Sequence, residues 1–303
     1  MNSLKGIRPD RPVLIAGPTA SGKSALALAL AQRDGRDVVN ADAIQVFGNW
    51  RVLTARPSSD DEKRARHRLY GHVSGDAEYS VGAWLREIAP LVDLNPPPVI
   101  VGGTGLYFSA LTEGLADIPT VPADIRNEAA DRLERHGLPA LLNELDALTR
   151  ARIDIANTAR VLRAWEVLRA TGEGLAVWQE RPAPPVLDLS DCYTLVVNAP
   201  RDWLMPRIAN RFDTMLDGGA VDEARRNLPC WNTRWQSSRA IGAAELIRYL
   251  RGEITLDTAR EQTLIATRQY AKRQRTWFRA RMRDWHRIDA ETLSVSVSQL
   301  YNE

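Results

Sequence analysis

The chain has 303 residues, 44% hydrophobic and 26% charged, with 40 Lys+Arg against 38 Asp+Glu, enough for one large domain or a domain carrying a smaller one. This ordinary composition excludes collagen, long disordered tails and disulfide scaffolds, and two cysteines, Cys192 and Cys230, exclude a Cys-rich zinc site and fit a reduced cytoplasm. No apolar run approaches the ~20 residues of a membrane span, the opening MNSLKGIRPDRP has no secretory-type apolar stretch, and a net charge of +2 does not by itself announce nucleic acid.

In chain order, Arg11–Gly17 (RPVLIAG) reads as a buried first strand, and Lys23–Arg33, rich in Ala and Leu, as the helix after it. Asp37–Asp42 (DVVNAD) is a short strand with a polar end. Ser80–Leu94 has apolar residues at Val81, Trp84, Leu85, Ile88, Leu91 and Val92, a helical spacing with Ser80 as N-cap. Pro96–Pro98 stop that helix, and Val99–Val101 forms a strand running into Gly102-Gly103-Thr104-Gly105. Strand and helix alternate as in a parallel sheet with crossover helices. From Pro122 to about Leu175 only helical patterns occur, with one stripe at Leu138, Leu141, Leu142, Leu145 and Leu148 and another at Val161, Leu162, Trp165 and Leu168. The Pro-rich Arg181–Asp191 reads as a linker, Cys192–Val197 as a buried strand, and the chain after Pro200 as mainly helical to about Arg283. The expected organisation is therefore an α/β, P-loop NTPase-like parallel sheet with flanking helices (residues 1–118 and 191–303), interrupted by an all-helical insertion domain (residues 119–190).

The segment Gly17-Pro18-Thr19-Ala20-Ser21-Gly22-Lys23-Ser24 matches G-x-x-x-x-G-K-[ST] between a strand and a helix. Its glycines let successive backbone N–H groups turn toward an anion, the helix adds its positive end, Lys23 adds a point charge, and the Ser24 hydroxyl can hold Mg²⁺. In a doubly wound sheet ligands sit beyond the carboxyl ends of the strands, so Asp42 and Thr104 should face this cradle. A kinase or ATPase site calls for an acid on a strand near Mg²⁺; here that strand ends in Gly-Gly-Thr-Gly, and no Asn-Lys-x-Asp guanine signature occurs.

A second signal is charge placement. Arg268, Lys272, Arg275 and Arg279 share one helical face, and seven Lys/Arg against a single acid, Asp284, fall between Ala271 and Arg287. With Tyr270 and Trp277 nearby, such a face suits phosphate-backbone contact plus stacking, although a solvated helix face has the same pattern. Arg160 and Arg163 could form another basic patch. His67 and His72 read as structural, Cys192 as core, and Trp203, Trp231 and Trp235 as packing.

Together, GPTASGKS at 17–24, NADAIQVF at 40–47, TARP at 54–57, GGTGLYF at 102–108, RAWEVL at 163–168 and KRQRTWFR at 272–279 resemble the bacterial tRNA dimethylallyltransferases, in the family's order over nearly the whole chain. The resemblance implies transfer of a dimethylallyl group from its diphosphate to N6 of adenosine 37, beside the tRNA anticodon. It implies that residues 17–24 hold the diphosphate with Mg²⁺ on Ser24, that Asp42 is the general base, and that Thr104 bonds the bridging oxygen. Expected partners are dimethylallyl diphosphate and the tRNA anticodon stem-loop, with no membrane, no obligate protein partner and a cytoplasmic location. Implied tRNA contacts are Asp42, Ala43, Ile44, Gln45, Thr104, Arg126, Arg160, Arg163, Arg239, Gly242, Lys272, Arg273, Gln274, Arg275, Trp277 and Arg279. Gln45 is expected to pair with a base through two hydrogen bonds. The sequence departs from the family at Ala43, Ala159, Ala243 and Ala244, leaving the cradle and Asp42 intact. Two readings from other classes are a P-loop kinase of a nucleotide or small metabolite, which needs no RNA, and a non-catalytic RNA-binding protein.

Overall fold

The computed structural model describes residues 6–293; the opening MNSLK, part of the segment read above as lacking a secretory signal, lies outside them. The elements run β1 (Val13–Ala16), α1 (Lys23–Asp34), β2 (Val38–Asn40), α2 (Ser59–Arg64), β3 (His67–Arg68), α3 (Val81–Ile88), β4 (Val99–Gly102), α4 (Gly105–Glu113), α5 (Ala123–Glu144), α6 (Ala147–Arg152), α7 (Thr158–Thr171), α8 (Leu175–Gln179), β5 (Tyr193–Asn198), α9 (Arg201–Asp217), α10 (Ala220–Asn227), α11 (Ala243–Leu250), α12 (Leu256–Arg281) and β6 (His286–Asp289). Ser80 caps α3 by accepting from the Ala83 N–H, but this helix gives way to a 3₁₀ turn at Ala89–Leu91 rather than continuing to Leu94.

All six strands are parallel in one sheet of order β3-β2-β4-β1-β5-β6. Every residue of β1 and β4 is buried, as a parallel sheet covered on both faces requires. The chain leaves β1 toward β2 on one side and returns from β4 past β1 to β5 on the other, so the order reverses around β1 and β4. Loops diverge at such a switch point and open a crevice above the strand ends. The edge strand β6 and the two-residue β3 were not expected.

The chain divides into two compact units, one of residues 1–112 with 187–303 and one of residues 113–186. The second unit holds α5 to α8 and one isolated antiparallel bridge, Ala116 with Pro182, and starts and ends earlier than the expected 119–190. Its core holds Ala129, Leu141, Leu145, Val161, Ala164, Trp165, Val167 and Leu175. The leucine stripe does not lie on one helix: α5 stops at Glu144, Asp146 caps α6 by accepting from Thr149, and Leu148 is 41% exposed. In the first unit the backbone links Leu187 N–H to Leu111 C=O at 3.1 Å, so the points where the insertion leaves and re-enters are neighbours.

Candidate active site

The loop between β1 and α1 curls through left-handed residues at Ala20 (φ 62°) and Gly22 (φ 90°). Gly22 is the N-cap of α1 and supplies no side chain to its amides, which leaves the helix's positive end for an anion. Lys23 Nζ donates to the Pro18 carbonyl at 3.2 Å, folding the side chain back over the loop. Ser24 is exposed on the first turn of α1. Beside the loop, Ala20 and Gly22 share a cavity of about 400 Å³ with Arg207, Asn210 and Arg211 of α9. Crowding in the cleft, with the neighbouring Arg211 guanidinium, lowers the Lys23 ammonium from 10.5 to about 8, against the pull of the Asp42 carboxylate. Burial likewise draws Arg211 below its usual value, while Asp42 opposes the shift. A polyanion is what would relieve both cations.

Asp42 and Thr104 meet where β2 and β4 end side by side. Asn40, buried at the end of β2, accepts from Asp42 N–H at 2.8 Å and donates to the carbonyls of Asp42 and Leu69. The Asp42 carboxylate caps its own turn, Oδ1 accepting from Ile44 N–H at 3.0 Å. Thr104 N–H donates to the Ala41 carbonyl at 3.2 Å, and Thr104 Oγ1 accepts from Ala43 N–H at 2.9 Å. The two loops are thus stitched together through backbone and side chain. Around them stand Tyr70, Tyr107 and Tyr270, whose hydroxyls are pushed up by burial and further by the charge of Asp42; all three are neutral phenols. Tyr107 stacks on Trp84 at 4.4 Å.

The Gly-rich turn after β4 exists because α12 lies on it. A Cβ at Gly103 would stand 2.2 Å from Gln274 Nε2, and one at Gly105 would stand 2.2 Å from Trp277 Cε3. Gln274 bridges both loops of the site, accepting from Thr19 N–H and donating to the Gly103 carbonyl, each at 2.9 Å.

Several residues expected to contact RNA make bonds within the protein. Gln274 is 5% exposed and bonded to the backbone of both loops, so it braces the cradle. Gln45 Nε2 donates to the carbonyls of Thr54 and Ala55, so its amide nitrogen is engaged within the protein. Gly242 is buried beneath Leu53, Thr263 and Phe212 and serves as the left-handed N-cap of α11. Trp277 has its inner side on Gly105 and its ring edge-on to Phe278 and is half-buried. Lys272, Arg273 and Arg279 are exposed on α12, as is Arg239. Arg275 and Arg279 line a small hollow with Pro18, Asn198 and Arg287. Arg126, Arg160 and Arg163 belong to the second unit, the latter two exposed on α7. His72 pairs with Glu87 at 2.7 Å, His67 with the Ala65 carbonyl, and Trp231 packs edge-on against Trp50.

Sequence reasoning missed Arg207 and Arg211, whose only signal is a spacing of four on the helix after β5. It also left Tyr270, one helical turn before Gln274, as no more than a neighbour of the basic face.

Sheet order and the Gly17–Ser24 loop between β1 and α1 define a P-loop-like α/β protein, with Asp42 and Thr104 at the neighbouring strand ends. Residues 45–281 match the IPP transferase family and residues 11–73 match isopentenyl transferase. The chain is 59% identical over 288 residues to a tRNA dimethylallyltransferase of Cereibacter sphaeroides, covering 95% of this chain and 92% of that one. It is 60% identical over 286 residues to a tRNA dimethylallyltransferase of Dinoroseobacter shibae, covering 93% and 96%. Among solved structures it resembles the full-length tRNA isopentenylpyrophosphate transferase of Bacillus halodurans, with TM-score 0.64 and 28% identity over 97% of this chain and 98% of that one. The chain belongs to the IPP transferase family.

Proposed function

We propose that the protein transfers the dimethylallyl group of dimethylallyl diphosphate to N6 of adenosine 37 in tRNA and releases diphosphate. The observation that carries this reading is the meeting of a phosphate cradle, Asp42 and Thr104 at three strand ends in a member of this family. The cradle amides of residues 17–24, Lys23 and Arg211 take the diphosphate. N6 attacks C1, the C1–O bond breaks, and its electron pair leaves on the bridging oxygen, which accepts a hydrogen bond from Thr104. The proton lost from N6 passes to the Asp42 carboxylate. Asp42 is suited to this because the turn that it caps and the Asn40 bonds fix its position before substrate arrives.

Among the described residues no three His, Cys, Asp or Glu side chains group for a metal. A divalent ion would instead be held by Ser24 Oγ and the diphosphate's own oxygens, an all-oxygen donor set that suits Mg²⁺. When bound, Mg²⁺ supplies charge neutralisation for the leaving group. The exposed cations Arg239, Lys272, Arg273 and Arg279, with half-buried Arg275, suit contact with the tRNA backbone, and Arg126, Arg160 and Arg163 offer a second set. The chain's location is read as cytoplasmic from its substrate; no helix among the described residues is long and apolar enough to cross a membrane.

The test is incubation with labelled dimethylallyl diphosphate, Mg²⁺ and unmodified tRNA. Label should enter the adenosine beside the anticodon, and Asp42→Ala should lower turnover by ~10²–10⁴-fold while tRNA affinity stays within a few-fold. Phosphate transfer from ATP without tRNA labelling would overturn the reading, and near-normal turnover of Asp42→Ala would remove Asp42 as the base.

A further inference from the structure

β5 and β6 end beside the phosphate loop. There Pro18 of the loop, Asn198 of β5, Arg275 and Arg279 of α12 and Arg287 of β6 line one hollow. It shares no lining residue with the larger cavity that Ala20 and Gly22 form with Arg207, Asn210 and Arg211.

Each guanidinium reaches the hollow for a local reason. Arg275 and Arg279 are four residues apart and so share one face of α12. Arg287 stands opposite Val196 in the β5–β6 register. Its Nη2 donates at 3.3 Å to the carbonyl of Met282, the residue that caps the end of α12. The acid at the end of β6, Asp289, accepts from the Asn198 amide at 2.8 Å. Among the described residues none of the three arginines forms an ion pair with a carboxylate, whereas Arg33, Arg51, Arg68 and Arg260 of the same unit each do.

Three like charges around one small space repel one another. The apolar lining, buried Val196, Val197, Ala199 and Phe278, strengthens the field above it. An anion relieves that repulsion, and the size of the hollow decides what part of an anion enters. Its volume of about 20 Å³ admits roughly one water-sized atom. An oxyanion oxygen fits; a base, a sugar or a whole diphosphate does not. Pro18 has no N–H to offer, so the guanidinium N–H groups are the donors, and their fork suits phosphate oxygens.

We infer that this hollow seats one non-bridging oxygen of an RNA backbone phosphate, held by Arg275, Arg279 and Arg287 together. Continuity favours RNA over a free anion: exposed Lys272, Arg273 and Arg279 follow one another along the same helix, and the hollow lies toward the end of that line. The inference rests on the RNA-substrate reading above. It adds Arg287, which lies beyond α12, and a count of three arginines to one phosphate.

The experiment uses that count. Affinity of the full chain for unmodified tRNA is measured over a salt series for wild type, Arg287→Gln and the triple variant Arg275→Gln, Arg279→Gln, Arg287→Gln. Each neutralised phosphate contributes ~0.7–0.9 to the slope of log affinity against log salt. The triple variant should lose the slope of one phosphate and bind tRNA ~10-fold or more weakly, with Tm near wild type. Arg287→Gln alone, at an exposed position, should weaken binding several-fold, which keeps the test open should the triple variant be unstable. Inorganic diphosphate, titrated by calorimetry, should bind the triple variant about as well as wild type. An unchanged slope, a slope loss of ~2–3 from three separate contacts, or wild-type affinity in Arg287→Gln would overturn the inference. A ~10-fold loss of diphosphate affinity would overturn it as well, by giving the hollow to the small anion. Failure of the wild-type chain to bind or label tRNA would instead sink the proposed function, and is visible before any variant is made.

Discussion

Lys23 holds a charge that its surroundings resist. Lowered to about 8 by burial and by Arg211, it is largely neutral in the free protein above that pH and charged in the unfolded chain up to about 10.5. Between those values the unfolded chain binds more protons than the folded one, so this group makes stability rise with pH across that window. A bound diphosphate reverses the local field and restores the proton. Diphosphate binding at pH 8.5 to 9 should therefore be accompanied by proton uptake, measured by titration calorimetry in buffers of different ionisation enthalpy, and Lys23→Met should abolish it. Uptake that persists in Lys23→Met would assign the proton elsewhere. At this scale the placement of the 17–24 loop, Asp42 and Thr104 at the carboxyl ends of β1, β2 and β4 was legible, because apolar runs ending in polar or Gly-rich turns mark buried parallel strands. The bonds that Gln45 and Gln274 make within the protein were not, because an amide that faces a ligand and one that holds a loop look the same in a sequence.

The segment that carries Asp42 is held from outside by α10. Glu223, 4% exposed, accepts from the N–H groups of Arg51, Val52 and Leu53 at 2.6, 3.0 and 2.9 Å, and Asn227 Nδ2 donates to the Asn49 carbonyl at 2.9 Å. A buried carboxylate that satisfies three amides is costly to remove, because the amides are left without partners. Glu223→Ala should lower stability by about 3 kcal/mol and Glu223→Gln by less, as read by denaturant unfolding. Hydrogen exchange at residues 51–53 should accelerate in both. Unchanged exchange there would mean that the turn does not depend on α10. Glu223 has no signature in the sequence, since an acid on a polar helix reads as surface. The strand β6 was hidden for a related reason: His286-Arg287-Ile288-Asp289 buries only Ile288, so an edge strand shows one apolar residue where β1 and β4 show an unbroken run. The leucine stripe over 138–148 shows the reverse error, a periodicity that continues across the break between α5 and α6.

For the whole molecule, the balance of 40 basic and 38 acidic residues conceals an uneven distribution, with exposed cations collected along α12. The division into two units has its own consequence. Because Leu111 and Leu187 are hydrogen-bonded neighbours within the first unit, residues 113–186 should be replaceable by a short Gly/Ser linker. The shortened protein should fold cooperatively and bind inorganic diphosphate about as well as the full chain. Its tRNA affinity should fall and its transfer activity disappear, if Arg126, Arg160 and Arg163 serve the RNA. Undiminished tRNA binding, measured by filter retention, would return those arginines to plain surface.

Finally, the brace between Thr19 and Gln274 spans 255 residues of sequence. A ribosome that has just made the cradle loop must add all of them before the Thr19 amide meets its partner. By then residues 113–186 have emerged as a continuous stretch and can collapse around their own core, whereas the central strand β1 still waits for β5. Domains generally fold as units during synthesis, and here the enclosed unit is complete before its host. A nascent chain interrupted short of α12 would carry every residue of the phosphate motif and yet lack the amide that ties the motif to Gly103. The brace that joins the two loops above the sheet thus arrives only when nearly the whole chain has been made.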